Sequence, residues 1–501
     1  MPNHRRQLFL PSLTALAVAA VCLTALTVAT AFCLAVVPAS AAASPAPEWP
    51  AAGGDGAPDS GGDDLPASTV PFETLPSEDI VPGQPWVPGQ LLVQYADGEA
   101  PQAIEVPPGA DLEALASRVE RSPAIVSATP NYIASASGWL PNDPGVNPAR
   151  TGRAGDWQLR QWNFLPCHSL CYPGTVSTGP QSLGGMNVIR AWQNLRRAGR
   201  PGAQGVRIAV LDTGVAYRNL GRMYRRDPEL SPKTFVRGYD FVGDDRIPLD
   251  LNGHGTHVVS TIAQATNNRR GLTGIAFGAR VMPVRVLDSN GFGTTLDIIR
   301  GLRWAARNDA KVINMSLNFS CGESIPALGD ALQYARSRGA VVVASAGNSG
   351  AQTCPSLPAT HPTVISVGGT TESGCVATYS FESEQIDLAA PGGGSSRSGC
   401  PFSSAERSIF QVGMIARDPR WFGIEPSWTG TSMAAAHVSA AAAAVLASKV
   451  LPRGKRGAGE VLRRLESTAR LPAYAQGNAA SGFGAGIVDL GRATNPNAAS
   501  A

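Results

Sequence analysis

Five short segments of the chain are almost unbroken runs of apolar residues: 206–211, 279–286, 311–317, 340–344 and 364–367. Stretches with helical spacing lie among them, at 254–264, 295–307 and 326–338. A strand that is apolar on both faces has to be covered on both faces. This alternation therefore predicts an α/β fold with a doubly wound parallel sheet. Such a sheet puts its chemistry at the carboxyl ends of its strands. With 501 residues the chain can build a full-sized catalytic core and still carry extra segments. No internal repeat is visible.

The extra segments lie at the N-terminus. His4, Arg5 and Arg6 precede an apolar run over 8–37, which ends in Pro38-Ala39-Ser40-Ala41. Basic residues, apolar run and small-residue site form a secretory signal pattern, so 1–41 reads as a signal peptide. The run is also long enough to anchor the chain in a membrane, the alternative reading. No later segment looks transmembrane. Residues 42–85 hold eight acidic residues and no basic one, among Pro, Ala and Gly. That composition buries too little apolar surface to fold and reads as a disordered linker. Order begins at Trp86: a strand at 91–95, a helix over 111–120 and a strand over 124–133 make a small β-α-β unit. An exposed, cleavable stretch follows at 137–153. Six cysteines lie beyond the signal and suggest three disulfides in an exported protein. The expected pairs, among fifteen possible pairings, are Cys167–Cys171, Cys321–Cys354 and Cys375–Cys400. A net charge of +3 is too small to imply a nucleic-acid partner.

Four segments carry candidate chemistry. Asp212 ends the 206–211 strand, where a carboxylate either orients an imidazole or caps an ordinary turn before Gly214. His254 and His257 open a helix and share one of its faces. The helix lacks the glutamate of a metal-binding His pair, so a general base is the better reading, with metal as the alternative. Asn348, after the 340–344 strand, offers an amide donor to an oxyanion or belongs to a Gly-Asn turn. Ser432 stands at the start of an alanine-rich helix over 432–450, after Gly430. The helix's free N–H groups and dipole favour negative charge developing there.

These segments read VLDTGV, NGHGTHV, ASAGNSG and GTSMAAAHV, in that order over more than 200 residues. In motifs and order the chain resembles the subtilisin-like serine proteases (subtilases), whose chain order is Asp, His, Ser. The resemblance covers about 140–495, with IDLAAPG and GFGAGIVD near its end. It implies a subtilisin-like catalytic domain over 141–501 and an inhibitor-like propeptide over 86–140, cleaved between about Ser135 and Asp143. It further implies that Asp212 orients His254, that His254 takes the proton of Ser432, and that Ser432 attacks a peptide carbonyl. Asn348 and the backbone N–H of Ser432 would form the oxyanion hole. His257 and His437 would be structural.

Substrate contacts follow from the same resemblance. Residues 286–292 and Ser316, Leu317 and Asn318 resemble strands that flank an extended peptide. Ala344, Gly347, Pro358 and Ala359 would line the pocket for the side chain before the scissile bond, and the absence of a carboxylate there implies an apolar or broad preference. The chain departs from the family where Ala436 replaces Pro and Asn318 replaces Gly, and the region 392–427 is long. No cofactor is required for the chemistry. Calcium is common in the family, and Asp240, Asp244, Asp245 and Asp250 lie in one loop of suitable hard ligands. The whole reads as a secreted serine endopeptidase with polypeptide substrates, its own propeptide as intramolecular inhibitor, and no stable membrane association after signal cleavage. The alternatives are a membrane-tethered processing protease and a catalytically idle peptide-binding relative.

Overall fold

A computed structural model describes residues 86–96, 101–106, 110–132, 139–167, 180–350, 356–401, 407–452, 454, 457–475 and 482–498. The signal segment and acidic linker lie outside the described residues. So do Cys171 and Cys354, while Cys167 and Cys321 are both disulfide-bonded. The Cys375–Cys400 bond is present as expected.

The N-terminal described segment is a three-stranded antiparallel sheet with one helix. Strand β1 (Trp86–Tyr95) pairs with both β2 (Gln102–Glu105) and β3 (Ile125–Tyr132). Helix α1 (Leu112–Val119) starts where the Asp111 carboxylate accepts the N–H of Ala114. Leu91, Val93, Leu112, Ala116 and Ala128 form its small core. Strand β2 is absent from the sequence reading because all four of its residues are exposed and leave no alternating apolar pattern.

The large sheet is seven-stranded and parallel. After α2 (Val188–Arg197) the chain runs β4 (Arg207–Asp212), β5 (Tyr239–Asp240), α3 (His254–Ala263), β6 (Arg280–Arg285), α4 (Thr295–Arg307), β7 (Val312–Met315), α5 (Pro326–Ser337), β8 (Val341–Ser345), β9 (Val364–Thr370) and β10 (Leu388–Pro391). Spatial order is β10-β9-β8-β7-β4-β6-β5. From β4 the chain goes to the edge strand β5 and back to β6, then crosses to β7 and winds outward to β10, so the crevice at the carboxyl end of β4, between β6 and β7, is the sheet's topological switch point. The period of two shows in the core. Ile208 and Val210 face a cluster with α2 and α3, whereas Ala209 and Leu211 face one with α4 and α5.

Beyond β10 lie an antiparallel hairpin, β11 (Gln411–Met414) and β12 (Phe422–Glu425), then α6 (Thr431–Ser448), α7 (Ala458–Glu466) and α8 (Leu490–Ala493). Helix α6 is apolar all round and buried almost throughout, which identifies a central core helix. By length and composition it is apolar enough to cross a membrane, which the sequence reading overlooked, but 94% of it is buried inside the protein. Its alanines let it approach β7, β8, β9 and β10 closely. Ala436 lies inside an unbroken helix, and the turn ends at Lys449 in the left-handed conformation.

Candidate active site

Asp212 is the last residue of β4 and its side chain is fully buried. Its Oδ1 accepts the N–H of Thr213 at 2.8 Å and lies 2.7 Å from His254 Nδ1. A carboxylate accepts, so Nδ1 carries the proton and Nε2 keeps its lone pair. A side chain at Gly255 would come within 2.2 Å of the Gly214 carbonyl oxygen and 3.0 Å of Asp212 Oδ1. The glycine of HGTH is thus what lets α3 approach the strand. Burial opposes charging of His254. The Asp212 charge and hydrogen bond, helped by Asp250, outweigh it and raise the imidazole above the ordinary 6.5.

Asp250 holds this arrangement from below. Its Oδ1 accepts the N–H groups of Asn252 and Gly253 and the hydroxyl of Thr213. Its Oδ2 accepts both the N–H and the hydroxyl of Thr256. That use removes it from the calcium set read from the sequence. Asp240 pairs with Arg285 at 2.8 Å, Asp244 accepts the hydroxyl of Tyr239, and Asp245 accepts the N–H of Ile247. The four carboxylates are spent separately, and among the described residues no three His, Cys, Asp or Glu side chains gather as a metal site.

Ser432 sits in the first turn of α6, half-buried. Its hydroxyl donates to the Ser316 carbonyl at 3.3 Å, and the Ser316 hydroxyl donates to the Ser432 carbonyl at 2.8 Å. The Ser316 hydroxyl in turn accepts from the Asn314 side-chain amide, whose Oδ1 accepts from Ser439, about two turns further along α6. Ser316, read from sequence as a substrate contact, therefore also clamps the start of α6. Asn348 is exposed. Its Oδ1 accepts both the N–H and the hydroxyl of Thr431, each at 2.9 Å. This holds the amide at the helix entrance, with Nδ2 and Oδ1 3.3 and 3.5 Å from where a Cβ would stand on Gly430.

His257 and His437 are fully buried. Nε2 of His257 donates to the Ile409 carbonyl at 3.0 Å, and burial pushes its imidazole down to about 3. Nδ1 of His437 donates to the Met433 carbonyl while Nε2 accepts from Asn163 Nδ2, and burial lowers this ring to about 4. Both are neutral fixtures of the core.

Of the predicted pocket residues, Ser316, Leu317 and Asn318 line a cleft of about 330 Å³ beside His254. Ala344 and Ala359 are buried in the core cluster of α4 and α5, and Gly347 and Pro358 are buried too. Asn318 crosses between the two walls: Nδ2 donates to the Ser345 carbonyl at 2.7 Å, and Oδ1 accepts from the Ser345 hydroxyl at 3.0 Å. The sequence reading missed Trp428, whose ring lies 5.4 Å from that of His254 and 5.7 Å from that of His257. It also missed a group of buried carboxylates. Asp143 accepts the N–H groups of Asn267 and Asn268, and Glu229 accepts from the Asn268 side chain. Burial raises Asp143 and pushes Glu229 and nearby Asp227 up to about 7. Glu229 Oε1 and Asp227 Oδ2 are buried without a hydrogen-bond partner.

The profile of the Subtilase family matches residues 203–486, more than half of the chain. A thermophilic serine proteinase from Bacillus sp. (strain AK1) is 36% identical over 56% of this chain and 58% of its own. Thermitase from Thermoactinomyces vulgaris is 37% identical over 53% of this chain and 81% of its own. An extracellular protease from Xanthomonas campestris pv. campestris is 30% identical over 76% of this chain and 61% of its own. The chain thus spans less than two thirds of the first and third of these relatives. Among solved structures, a protease from Pseudoalteromonas arctica PAMC 21717 superposes with a TM-score of 0.51 at 29% identity, covering 71% of this chain and 99% of its own. Strand order, the carboxylate–imidazole pair at the switch point and the sequence match agree, and the chain belongs to the subtilase family, with the α/β fold of a serine endopeptidase.

Proposed function

We propose that the protein is a secreted serine endopeptidase acting through Asp212, His254 and Ser432. The observation that carries this reading is the 2.7 Å contact of Asp212 with His254 Nδ1, which leaves Nε2 available as a base, while Ser432 is clamped to Ser316 just past the end of β7, the strand next to β4. Ser432 would attack the substrate carbonyl as Nε2 takes its proton, and Nε2 would return that proton to the leaving amine. Asn348 Nδ2 and the Ser432 N–H would receive the oxyanion, with the α6 N-terminus adding its partial positive charge. Substrate would lie extended along 291–293 and 316–318. Asn348→Ala lowers kcat roughly 10²–10³-fold with little change in KM, the scale measured for such a donor in subtilisin; steady-state kinetics on a chromogenic peptide reads it.

Export and self-processing belong to the same reading. Trp139 packs on Trp192 and Phe277 and lies under the Arg196 guanidinium, and Asp143 is buried on the 267–268 loop. Cleavage that releases the N-terminal segment would fall before Trp139, because removing 139–143 would strip packed residues. The released segment, with its sheet of β1 to β3, would be the intramolecular inhibitor. Mass and N-terminal sequence of exported protein, with casein hydrolysis, test this. A product beginning close to Trp139 and cleaving casein is expected. A folded, full-length protein inert on casein and unaffected by a second protease points to an idle peptide-binding relative. Retention of the 8–37 run in a processed enzyme points to a membrane-tethered form.

A structural calcium ion would sit at Asp143 and Glu229, not in the 240–250 loop. The unpartnered buried oxygen of Glu229 is what a hard cation answers, by neutralising charge that burial otherwise penalises. The sign is definite. Carboxyls raised to about 7 in the fold bind more protons than in the unfolded chain, so without cation stability falls as pH rises from about 4 to 7. Chelator-treated protein is expected to melt lower at pH 8 than at pH 5. Calcium at a hundredfold excess over its Kd restores about 5 °C or more at pH 8, and less at pH 5. Differential scanning calorimetry at both pH values checks it.

A further inference from the structure

The long 392–427 region resolves, over its described residues, into the hairpin β11–β12, and the tip of that hairpin returns to the cleft. Asp418 N donates to the Ile415 carbonyl at 3.0 Å, closing a tight turn over 415–418. Its two central residues, Ala416 and Arg417, both lie in the left-handed region, with φ of 52° and 59°. A turn with both central residues at positive φ is ordinarily built from Asn-Gly. Left-handed backbone is strained for a residue with a Cβ, and such strain collects at functional positions.

What this turn presents is Arg417. It is exposed and lines the same cleft as His254, Asn252, Leu287, Leu317 and Trp428. Its charge is close enough to His254 to oppose protonation of that ring. The neighbouring charges are engaged elsewhere. Asp418 is held by Arg420, Asp212 is committed to His254, and Asp250 is buried under five hydrogen bonds at the start of α3. Among the described residues no ion pair joins Arg417 to a carboxylate. A cleft beside the base, lined by neutral polar groups such as Asn252 and Asn290 and by Leu287, Leu317 and Trp428, therefore holds a guanidinium with no ion-pair partner among the described residues, a planar fork suited to a carboxylate.

With the scissile carbonyl at Ser432 and the peptide extended along 291–293 and 316–318, the residue before the cleaved one would pass the part of the cleft that His254, Leu287 and Arg417 line. We propose that Arg417 makes the enzyme selective for substrates with an acidic side chain at that position, one residue before the residue whose carbonyl is cleaved. The inference rests on the endopeptidase reading above and names its specificity.

Matched peptides differing only by Glu, Gln or Lys at that position test it on the mature enzyme. The expected result for wild type is a kcat/KM for Glu roughly fivefold above Gln at low ionic strength, with Lys below both and the preference shrinking as salt is added. Arg417→Lys keeps the order Glu, Gln, Lys, and Arg417→Glu reverses it. Each ratio is taken within one enzyme preparation, so a poorly folding variant does not distort it, and the wild-type salt series needs no variant. Equal rates on Glu and Gln in wild type overturn the inference while leaving the endopeptidase reading intact. So does a preference that survives Arg417→Glu. Cleavage of none of the peptides, nor of casein, overturns both.

Discussion

Ser432→Ala lowers kcat roughly 10⁶-fold, a magnitude set by measurements on subtilisin, with KM little changed. The loss is this large because the hydroxyl is the proposed nucleophile and no neighbour can replace it. The Ser316 hydroxyl donates to the Ser432 main chain and accepts from Asn314, and the Thr431 hydroxyl donates to Asn348, so both neighbours are fixed in structural roles. The substitution removes one weak hydrogen bond, at 3.3 Å, from a helix start otherwise held by Thr431, Asn348 and Ser316. Folding is therefore unchanged: once a second protease has removed the N-terminal segment, the melting temperature of the variant stays within about 2 °C of processed wild type, as for a surface-scale change. Self-processing is lost with activity, and the variant accumulates with its N-terminal segment attached. Kinetics, calorimetry and intact mass read the three outcomes. A variant that still processes itself when incubated alone would remove Ser432 from the mechanism.

Asp212→Asn lowers kcat roughly 10³–10⁴-fold. An asparagine there has two orientations. With its NH₂ toward the ring it forces the proton of His254 onto Nε2, and the base is lost. With its oxygen toward the ring it keeps the tautomer but removes the negative charge that steadies the imidazolium, and it buries an NH₂ where Oδ2 has no partner. The pH profile separates this from a general loss of structure. In wild type the Asp212 charge raises His254, so the acidic limb of kcat/KM lies above pH 6.5. Removing that charge moves the residual limb to lower pH. A fall in rate with an unmoved limb would mean that Asp212 does not face the catalytic imidazole.

The residues of this site were legible in the sequence because each sits where a periodic element ends. Asp212, His254, Asn348 and Ser432 all stand at strand ends or helix starts, and those boundaries show as a change from apolar run to Gly-rich turn. The sheet was legible for the same reason. Strands β4, β6, β7, β8 and β9 appear within a residue or two, or at most three at one end, of their apolar runs. What escaped the reading depends on contacts distant in sequence. Nothing local marks Asp143 and Glu229 as neighbours, since Asn268 joins them, its backbone N–H donating to Asp143 and its side chain to Glu229. The acidic loop at 240–250 attracted a calcium assignment by charge density alone, whereas Arg285, Tyr239 and local amides already engage those carboxylates. Trp428 and Arg417 reach the cleft through a hairpin whose strands are four residues each, too short to give a pattern.

The placement of Ser432 on α6 has a consequence for how activity is lost. Helix α6 packs against five strands of the sheet as well as against α3, so its amides have no route to solvent short of dismantling the core cluster it shares with α2 and α3. Hydrogen exchange along α6 is therefore expected to proceed only through global opening, whereas the exposed 415–421 tip of the hairpin exchanges through local fluctuation. The hydroxyl proposed to react is attached to the last part of the molecule to open, and the residue proposed to choose its substrates belongs to the first. Warming would then blur selectivity before it reduces turnover.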